Sequence, residues 1–244
     1  MNVLILGGTT EARELATLLS THPNITPIFS LAGVTSHPIL PQCTIRSGGF
    51  GGINGLKHYL HTENIHAVVD ATHPFAVQMG HNAASACASL SVPLLRLERP
   101  AWSPYPGDHW IHAQNLNHAA QLLGSTPKRV FLTTGRKDLS AFRADTAHHY
   151  IIRSIDPPSI DECPQNHTLL INRPPFSLES EHALMSSHKI DILITKNAGS
   201  ASTAAKLTAA RHLKIPVIMV QRPVRPLLTC AATPEAARLW LETL

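Results

Sequence analysis

Short apolar runs alternate with segments of helical periodicity along the chain. In the first half, runs that predict buried strands occupy residues 3–6, 25–31, 42–46, 67–70 and 92–97. Between them apolar residues recur at helical spacing, as in Ala12, Leu15, Ala16 and Leu19. Strands that alternate with helices form parallel sheets covered on both faces, so the pattern predicts an α/β fold.

The second half of the chain repeats this order, with predicted strands at residues 130–132, 148–152, 168–171, 190–195 and 216–220. Arg99 and Arg222 hold corresponding positions in the similar segments 92–100 and 215–223. The strand ends Asp70 and Lys196 are separated by as many residues as the turns at Gly7 and Thr133. These agreeing offsets predict two similar Rossmann-like domains with parallel sheets, residues 1–100 and 101–244. The proline-rich segment 100–107 is the expected boundary.

Composition narrows the class of protein. The chain has 244 residues, of which 43% are hydrophobic and 15% charged, and its formal net charge is +4. It can therefore bury a full core, and with no long Lys/Arg run nucleic acid is not an expected partner. No apolar run reaches the length of about 18 residues that spans a membrane. The four cysteines are scattered, and the first strand begins at residue 3, so we expect reduced thiols and a cytoplasmic protein. Despite sixteen histidines, no ligand set at metal-binding spacing is complete, and no metal site is expected.

Polar turns follow the predicted strands. Gly7, Gly8, Thr9 and Thr10 lie between the first strand and the first helix, where backbone N–H groups without a nearby Cβ suit a phosphate. Set on the dinucleotide fingerprint G-x-G-x-x-G, however, only Gly7 is kept, with Thr9 and Ala12 at the other two positions. The residues alone therefore leave a nucleotide site and a tight structural turn both open. Ligands bind outside the carboxyl ends of parallel strands, so the active site is expected in a cleft between the two domains.

Six segments of the chain resemble the precorrin-6A reductase family of corrin ring synthesis. They are residues 7–13, 48–52, 70–76, 95–102, 132–136 and 196–199, and the run Asp-Ala-Thr-His-Pro-Phe-Ala at 70–76 is the most specific. The resemblance implies reduction of the C18–C19 double bond of precorrin-6A or cobalt-precorrin-6A to precorrin-6B in cobalamin biosynthesis. Hydride would go to C19 and a proton to C18. NADPH is the expected cofactor, with NADH as the alternative. The implied partners are a carboxylate-rich tetrapyrrole and, as further candidates, other enzymes of the corrin pathway.

The chain departs from the family pattern at three places. Val34 stands where the family often has arginine, after the second strand, whose end normally contacts the adenosine ribose. No acidic residue stands there either, which favours NADPH. Pro174 replaces the glycine of a Gly-Pro-Phe motif, and Ala198 replaces the serine of Lys-Asn-Ser-Gly.

The resemblance and the strand-end positions together predict three sets of site residues. The cofactor set is Gly7, Gly8, Thr9, Thr10, Glu11, Arg13, Asp70, Ala71 and Thr72. The substrate set is Arg99, Arg136, Lys196, Asn197, Gly199 and Arg222, and the catalytic candidates are Lys196 and His73. Structural roles remain open for several of them. Arg13 would be a solvated helix residue, Asp70 a cap of the next helix, His73 a packed turn residue, and the arginines would hold loop carbonyls.

Two other functions remain compatible with these features. A transferase that acts on a tetrapyrrole can use the same α/β domains, since a fold does not fix the chemistry. A non-catalytic sensor would bind the dinucleotide and turn nothing over. A change in nicotinamide absorbance with the macrocycle separates the reductase from both.

Overall fold

The computed structural model describes residues 1–33 and 38–244, which form two compact units. The first unit comprises Met1–Pro100 and Val224–Leu244. Its elements, in chain order, are β1 (Asn2–Leu6), α1 (Thr10–Ser20), β2 (Thr26–Leu31), β3 (Thr44–Ser47), α2 (Gly52–Thr62), β4 (Ala67–Asp70), α3 (Val77–Leu90) and β5 (Leu94–Leu97).

The second unit comprises Ala101–Pro223. It contains β6 (Trp110–Ala113), α4 (Leu116–Gln121), β7 (Arg129–Leu132), β8 (His149–Ser154), β9 (His167–Ile171), α5 (Leu178–Ser187), β10 (Ile192–Lys196), α6 (Ala205–His212) and β11 (Val217–Val220). The chain then returns to the first unit with β12 (Thr229–Ala231) and α7 (Pro234–Leu241). None of the helices in the described ranges has the length and apolar character that a membrane crossing needs.

Each unit is built on one six-stranded parallel sheet. The strand orders are β12-β5-β4-β1-β2-β3 and β6-β11-β10-β7-β8-β9. In the first sheet β2 and β3 add on one side of β1, and β4 and β5 add on the other. In the second sheet β8 and β9 add on one side of β7, and β10 and β11 add on the other. The prediction of an α/β fold with two similar Rossmann-like domains is therefore confirmed.

The predicted pairs of repeat residues follow equivalent strands. Asp70 ends β4 and Lys196 ends β10, and these strands flank β1 and β7 respectively. Asp70 pairs with Leu6 in the ladder, whereas Lys196 lies two residues beyond Ile194, the residue that pairs with Leu132. The second copy therefore carries its charged side chain farther along the strand.

The last segment of the chain, Val224–Leu244, belongs to the first unit, although the sequence analysis assigned it to the second domain. Strand β12 pairs with β5, and the buried Ala237 and Leu241 of α7 join the core formed by Leu15 and Leu19 of α1. The amphipathic pattern of α7 requires an apolar partner but does not say which sheet provides it. The short strands β6 and β12 were not predicted, because three or four half-exposed residues give a weak periodic signal.

A buried charged cluster lies in the core of the second unit. Arg153 on β8 forms a two-pronged ion pair with Glu181 on α5, and both side chains are at most 5% exposed. Lys206 on α6 donates from Nζ to Thr133 Oγ1 at 3.1 Å and faces the Trp102 ring. Burial, followed by the charge of Arg153, lowers the pKa of Lys206 from 10.5 to about 7, against the opposite effect of Glu181. This lysine therefore titrates near neutral pH.

The titration of Lys206 makes the stability of the protein depend on pH. An unfolded lysine keeps its ordinary pKa, so between about pH 7 and pH 10.5 the unfolded chain binds more protons at this residue. The contribution of Lys206 to stability therefore rises with pH across that window. Relative to the wild type, Lys206→Met should therefore be more stable at about pH 6.5 than it is at about pH 9.5. We expect its effect on the unfolding free energy to differ by at least about 1 kcal/mol between the two pH values. Urea unfolding of both proteins at the two pH values measures it.

The control is Lys137→Met, which removes an exposed lysine of the same unit. Its effect on unfolding should not change between the two pH values. If Lys206→Met behaves like this control, Lys206 is charged throughout the range and burial does not perturb it.

Candidate functional site

The turn between β1 and α1 contains two glycines, and a different structural constraint applies to each of them. A Cβ on Gly7 would lie 2.6 Å from the Phe29 ring, so packing alone excludes larger residues there. Gly8 has a φ of +126°, and a Cβ added to it would meet nothing within 4 Å. Its backbone therefore faces open space beside the α1 N-terminus, as close approach of a phosphate requires.

Thr9 ties this turn to the end of β4. It is the N-cap of α1, and its Oγ1 accepts a hydrogen bond from Ala12 N at 3.1 Å. The same hydroxyl donates to the Ala71 carbonyl at 2.9 Å. The Thr9 side chain is buried and used within the protein, so any contact with a ligand falls to its backbone.

Asp70 is fully buried at the end of β4, and both of its carboxylate oxygens have partners. Oδ1 accepts hydrogen bonds from the Thr72 hydroxyl at 2.6 Å and the Thr72 N–H at 3.2 Å, and Oδ2 accepts one from Arg225 at 2.6 Å. Arg225 also donates to Glu98 at 2.8 Å. Asp70 does not cap the following helix, because the N-cap of α3 is Ala76. Its side chain instead orders the turn after β4.

His73 lies in that turn, half-buried against Phe75. Its Nδ1 accepts a hydrogen bond from the Phe75 N–H at 3.3 Å. An accepting Nδ1 places the proton of the neutral ring on Nε2. The residue thus has the packed turn role that the sequence analysis left open, and its Nε2 is the atom that can donate a proton.

Glu11 and Arg99, predicted for the cofactor and the substrate respectively, form an ion pair with each other. Arg13, in the first turn of α1, donates to Thr10 Oγ1 at 3.3 Å. The structure therefore brings the predicted residues of the first unit together around one turn, but it neutralises the charge of Arg99 locally.

In the second unit Lys196 donates from Nζ to Asp138 Oδ2 at 2.6 Å. Lys196 and Asp138 are 17% and 22% exposed, so solvent still reaches the pair. Asp138 lies in the 3₁₀ helix Arg136–Phe142, directly after the turn that follows β7. The Lys196 ammonium is therefore held at the carboxyl end of the sheet, where ligands of such sheets bind.

Several predicted substrate residues of the second unit are hydrogen-bonded to backbone groups of neighbouring loops. The Asn197 side chain accepts from the Trp102 N–H at 2.7 Å and donates to the Trp102 carbonyl at 3.0 Å. Arg222 donates to the carbonyls of Asn197 and Ala198 at 3.0 and 3.3 Å, which is the loop-holding role that the sequence analysis left open. Arg136 donates to the Pro157 carbonyl at 3.5 Å, and Gly199 adopts a φ of +74° in the same turn as Asn197.

Sequence reasoning missed three charged residues at these strand ends: Arg46, Asp138 and Arg225. Arg46 on β3 donates to the carbonyls of Gly48 and Gly49, and so it orders the glycine-rich loop. Arg225 lies far from Asp70 in the sequence, and nothing in a single sequence signals that pairing. Asp138 was close to a predicted site residue, Arg136, and an acidic residue in a strand-end turn was the available signal.

Val34, where the family often has arginine, lies outside the described residues. Among the residues that the structure does describe, no group of three or more His, Cys, Asp or Glu side chains is placed to hold a metal ion.

Comparison with known proteins gives a consistent picture. Residues 2–242 match the family described as Precorrin-6x reductase CbiJ/CobK. The curated precorrin-6A reductase of Rhodococcus erythropolis is 47% identical over 243 residues, which cover 99% of this chain and 98% of that protein. A solved structure of CobK precorrin-6A reductase matches with a TM-score of 0.94 and 42% identity, over 99% of this chain and 96% of the other. A cobalt-precorrin-6A reductase from Priestia megaterium is 26% identical over 233 residues. The chain belongs to the precorrin-6A reductase family of oxidoreductases.

Proposed function

We propose that this protein catalyses the NADPH-dependent reduction of the C18–C19 double bond of precorrin-6A to precorrin-6B in cobalamin biosynthesis. The observation that carries the proposal is the open strand–turn–helix site at Gly8 in a chain that belongs to this family throughout its length. The nicotinamide cofactor supplies the hydride, which goes to C19, and a proton is added at C18. The protein supplies binding, orientation and the proton.

The residues around Gly8 fit a dinucleotide pyrophosphate. The α1 N-terminus directs backbone N–H groups toward the turn, and no Cβ blocks approach at Gly8. Thr10 and Arg13 add a hydroxyl and a guanidinium within the first turn of the helix. In this proposal Asp70, Thr72 and Ala71 act indirectly, because their hydrogen bonds fix the turn against which the cofactor lies.

The metal-free macrocycle is the substrate that the comparisons favour. The relative named precorrin-6A reductase shares 47% of its residues with this chain, whereas the relative named cobalt-precorrin-6A reductase shares 26%. The absence of a metal-holding group among the described residues is neutral on this point, since a cobalt ion would be held by the ring of the substrate.

We propose Lys196 as the residue that binds a substrate carboxylate or protonates the ring. Asp138 fixes the position of its ammonium, which carries three N–H donors. His73, with its proton on Nε2, is the second candidate for the proton donor. Arg99, Arg136, Asn197, Gly199 and Arg222 stay predicted as the substrate set, which would meet the carboxylates at the rim of the tetrapyrrole.

An absorbance assay tests the function directly. Mixing the protein with NADPH and precorrin-6A should cause a stoichiometric loss of nicotinamide absorbance, and NADH should support a slower reaction at equal concentration. Cobalt-precorrin-6A should be the poorer substrate. Binding of NADPH without turnover of either macrocycle would contradict the reductase and favour the sensor.

Gly8→Val tests the phosphate turn. The valine side chain would fill the open space over the backbone N–H groups, so we expect NADPH affinity to fall at least about 30-fold, or about 2 kcal/mol. No atom lies within 4 Å of the added Cβ, so we expect the variant to fold, with a loss of stability from the strain of a valine at a φ of +126°. Calorimetric titration and circular dichroism measure the two effects.

The matched control is Gly124→Val. Gly124 also has a positive φ, +69°, and open space around it, but it lies in the second unit after α4. This variant also places a valine at a positive φ, in the other unit, and it should bind NADPH normally. If both variants bind NADPH as the wild type does, the turn at Gly8 is structural only.

Lys196→Ala tests the second unit. A cation beside a substrate carboxylate or a developing charge is worth about 2–4 kcal/mol in the transition state, or roughly 30- to 1000-fold in rate. We expect the turnover number to fall by that factor while NADPH affinity stays within about twofold. Both quantities are measured on the same preparation.

Lys137→Ala is the control, because it removes an exposed lysine next to Asp138 without removing the Lys196 ion pair. It should retain nearly full turnover. A Lys196→Ala variant with normal turnover would remove Lys196 from the mechanism, and one that loses NADPH affinity would assign it to the cofactor.

A further inference from the structure

Arg46 occupies a defined position beside the end of β2. In the ladder between β2 and β3 it pairs with Ser30, and it donates to Ser30 Oγ at 3.1 Å. The Ser30 carbonyl accepts a hydrogen bond from Gly7 N at 2.8 Å. A single residue therefore connects Arg46 to the turn proposed for the cofactor phosphates.

The Arg46 side chain is also fixed in orientation. Its guanidinium lies over the Phe50 ring, 3.6 Å from the centroid, and it donates to the carbonyls of Gly48 and Gly49 at 2.6 and 2.7 Å. Phe50 in turn packs edge-on against Tyr59 of α2. Such a planar, stacked guanidinium loses little further entropy when it binds an anion.

The contacts of Arg46 within the described ranges leave its positive charge unneutralised. Its partners there are neutral carbonyl and hydroxyl oxygens and two aromatic rings, Phe50 and Tyr59. By contrast Arg99, Arg153 and Arg225 each form an ion pair with a carboxylate. Three of the five guanidinium N–H donors of Arg46 are directed at these oxygens, and Nε–H and one Nη2–H have no described partner.

The end of β2 is the place where dinucleotide-binding sheets contact the adenosine ribose. The described residues there, Leu31, Ala32 and Gly33, provide neither an acid for a ribose hydroxyl nor a base for a phosphate. Arg46 is on the neighbouring strand at the same level, since Leu31 pairs with Ser47. It is thus a cation placed beside the position where a ribose 2′-phosphate would lie.

We propose that Arg46 is the residue that selects NADPH over NADH, by pairing its guanidinium with the ribose 2′-phosphate at the β2–β3 edge. The inference rests on the proposed function for the presence of the dinucleotide, and it assigns the 2′-phosphate contact to β3. The loop-ordering hydrogen bonds of Arg46 then serve a second purpose, because they aim the guanidinium.

The test compares NADP⁺ and NAD⁺, which differ only in the 2′-phosphate, as calorimetric ligands of the full-length protein. Arg46→Gln removes the charge and keeps N–H donors for the loop carbonyls. We expect its affinity for NADP⁺ to fall at least roughly tenfold, as for loss of a charge-assisted hydrogen bond. Its affinity for NAD⁺ should stay within about twofold. Arg46→Lys, which keeps the charge, should retain part of the preference for NADP⁺.

Lys57→Ala is the charge control, since it removes one positive charge from α2 in the same unit. It should leave the ratio of NADP⁺ affinity to NAD⁺ affinity unchanged. If that ratio fell as much in Lys57→Ala as in Arg46→Gln, the effect of Arg46→Gln would come from net charge alone. If Arg46→Gln lost the same factor of affinity for NADP⁺ and for NAD⁺, the role of Arg46 would be to order the loop and not to select the cofactor. Unchanged NADP⁺ affinity, or a wild type that binds both ligands equally or neither, would also overturn the inference.

These outcomes are separate from those of the reductase itself. Selective loss of NADP⁺ binding in Arg46→Gln, combined with a wild type that turns over no macrocycle, would keep the assignment of Arg46 and reject the proposed reaction. A wild type that reduces the macrocycle but binds NADP⁺ and NAD⁺ equally would keep the proposed reaction and reject the assignment of Arg46.

Discussion

The buried carboxylate of Asp70 is the group on which the arrangement of the first unit depends. A charge with no solvent exposure requires a partner, because its desolvation costs several kcal/mol. Two arginines pair with it: Arg96, whose Nε lies 3.7 Å from Asp70 Oδ2, and Arg225, which donates to the same oxygen at 2.6 Å. Arg225 comes from the segment that returns from the second unit, and it packs so closely on Gly80 that a Cβ there would lie 2.8 Å from its guanidinium. The same ion pair therefore orders the turn after β4 and anchors the returning chain that supplies β12 and α7.

The two sheets repeat one architecture but differ at the first turn. In the first unit Gly7 and Gly8 lead into a capped α-helix, and open space lies over Gly8. In the second unit the corresponding turn leads into a 3₁₀ helix, and Thr133 Oγ1 donates to the Ile194 carbonyl and accepts from Lys206. Gly135 in this turn has open space around it, as Gly8 does in the first. The feature that distinguishes the first copy is the capped α-helix N-terminus behind its open glycine, and this supports the proposal that the cofactor binds in that unit.

Most of the strongly basic side chains at the strand ends are held by the protein itself. Arg99 pairs with Glu11, Lys196 pairs with Asp138, and Arg222 donates to two carbonyls. An ion pair holds a cation in position, but the carboxylate offsets its charge. The electrostatic attraction of Arg99 or Lys196 for an anionic ligand therefore depends on whether its ion pair separates when the ligand binds. Arg46 differs from Arg99 and Lys196, because its described partners are neutral. Its position beside the end of β2 then makes it the candidate for cofactor selection.

The sequence by itself determined the fold class, the order of the long strands and the turns that carry polar residues, because burial on both faces of a parallel sheet imposes continuous apolar runs. It also located Gly8, His73 and Lys196 at strand ends. Only the tertiary structure decided which side chains face one another: Arg225 on Asp70 and Asp138 on Lys196 are pairs between distant segments. Local periodicity reports what a residue must bury, whereas the partner of a charge depends on how the chain returns through space.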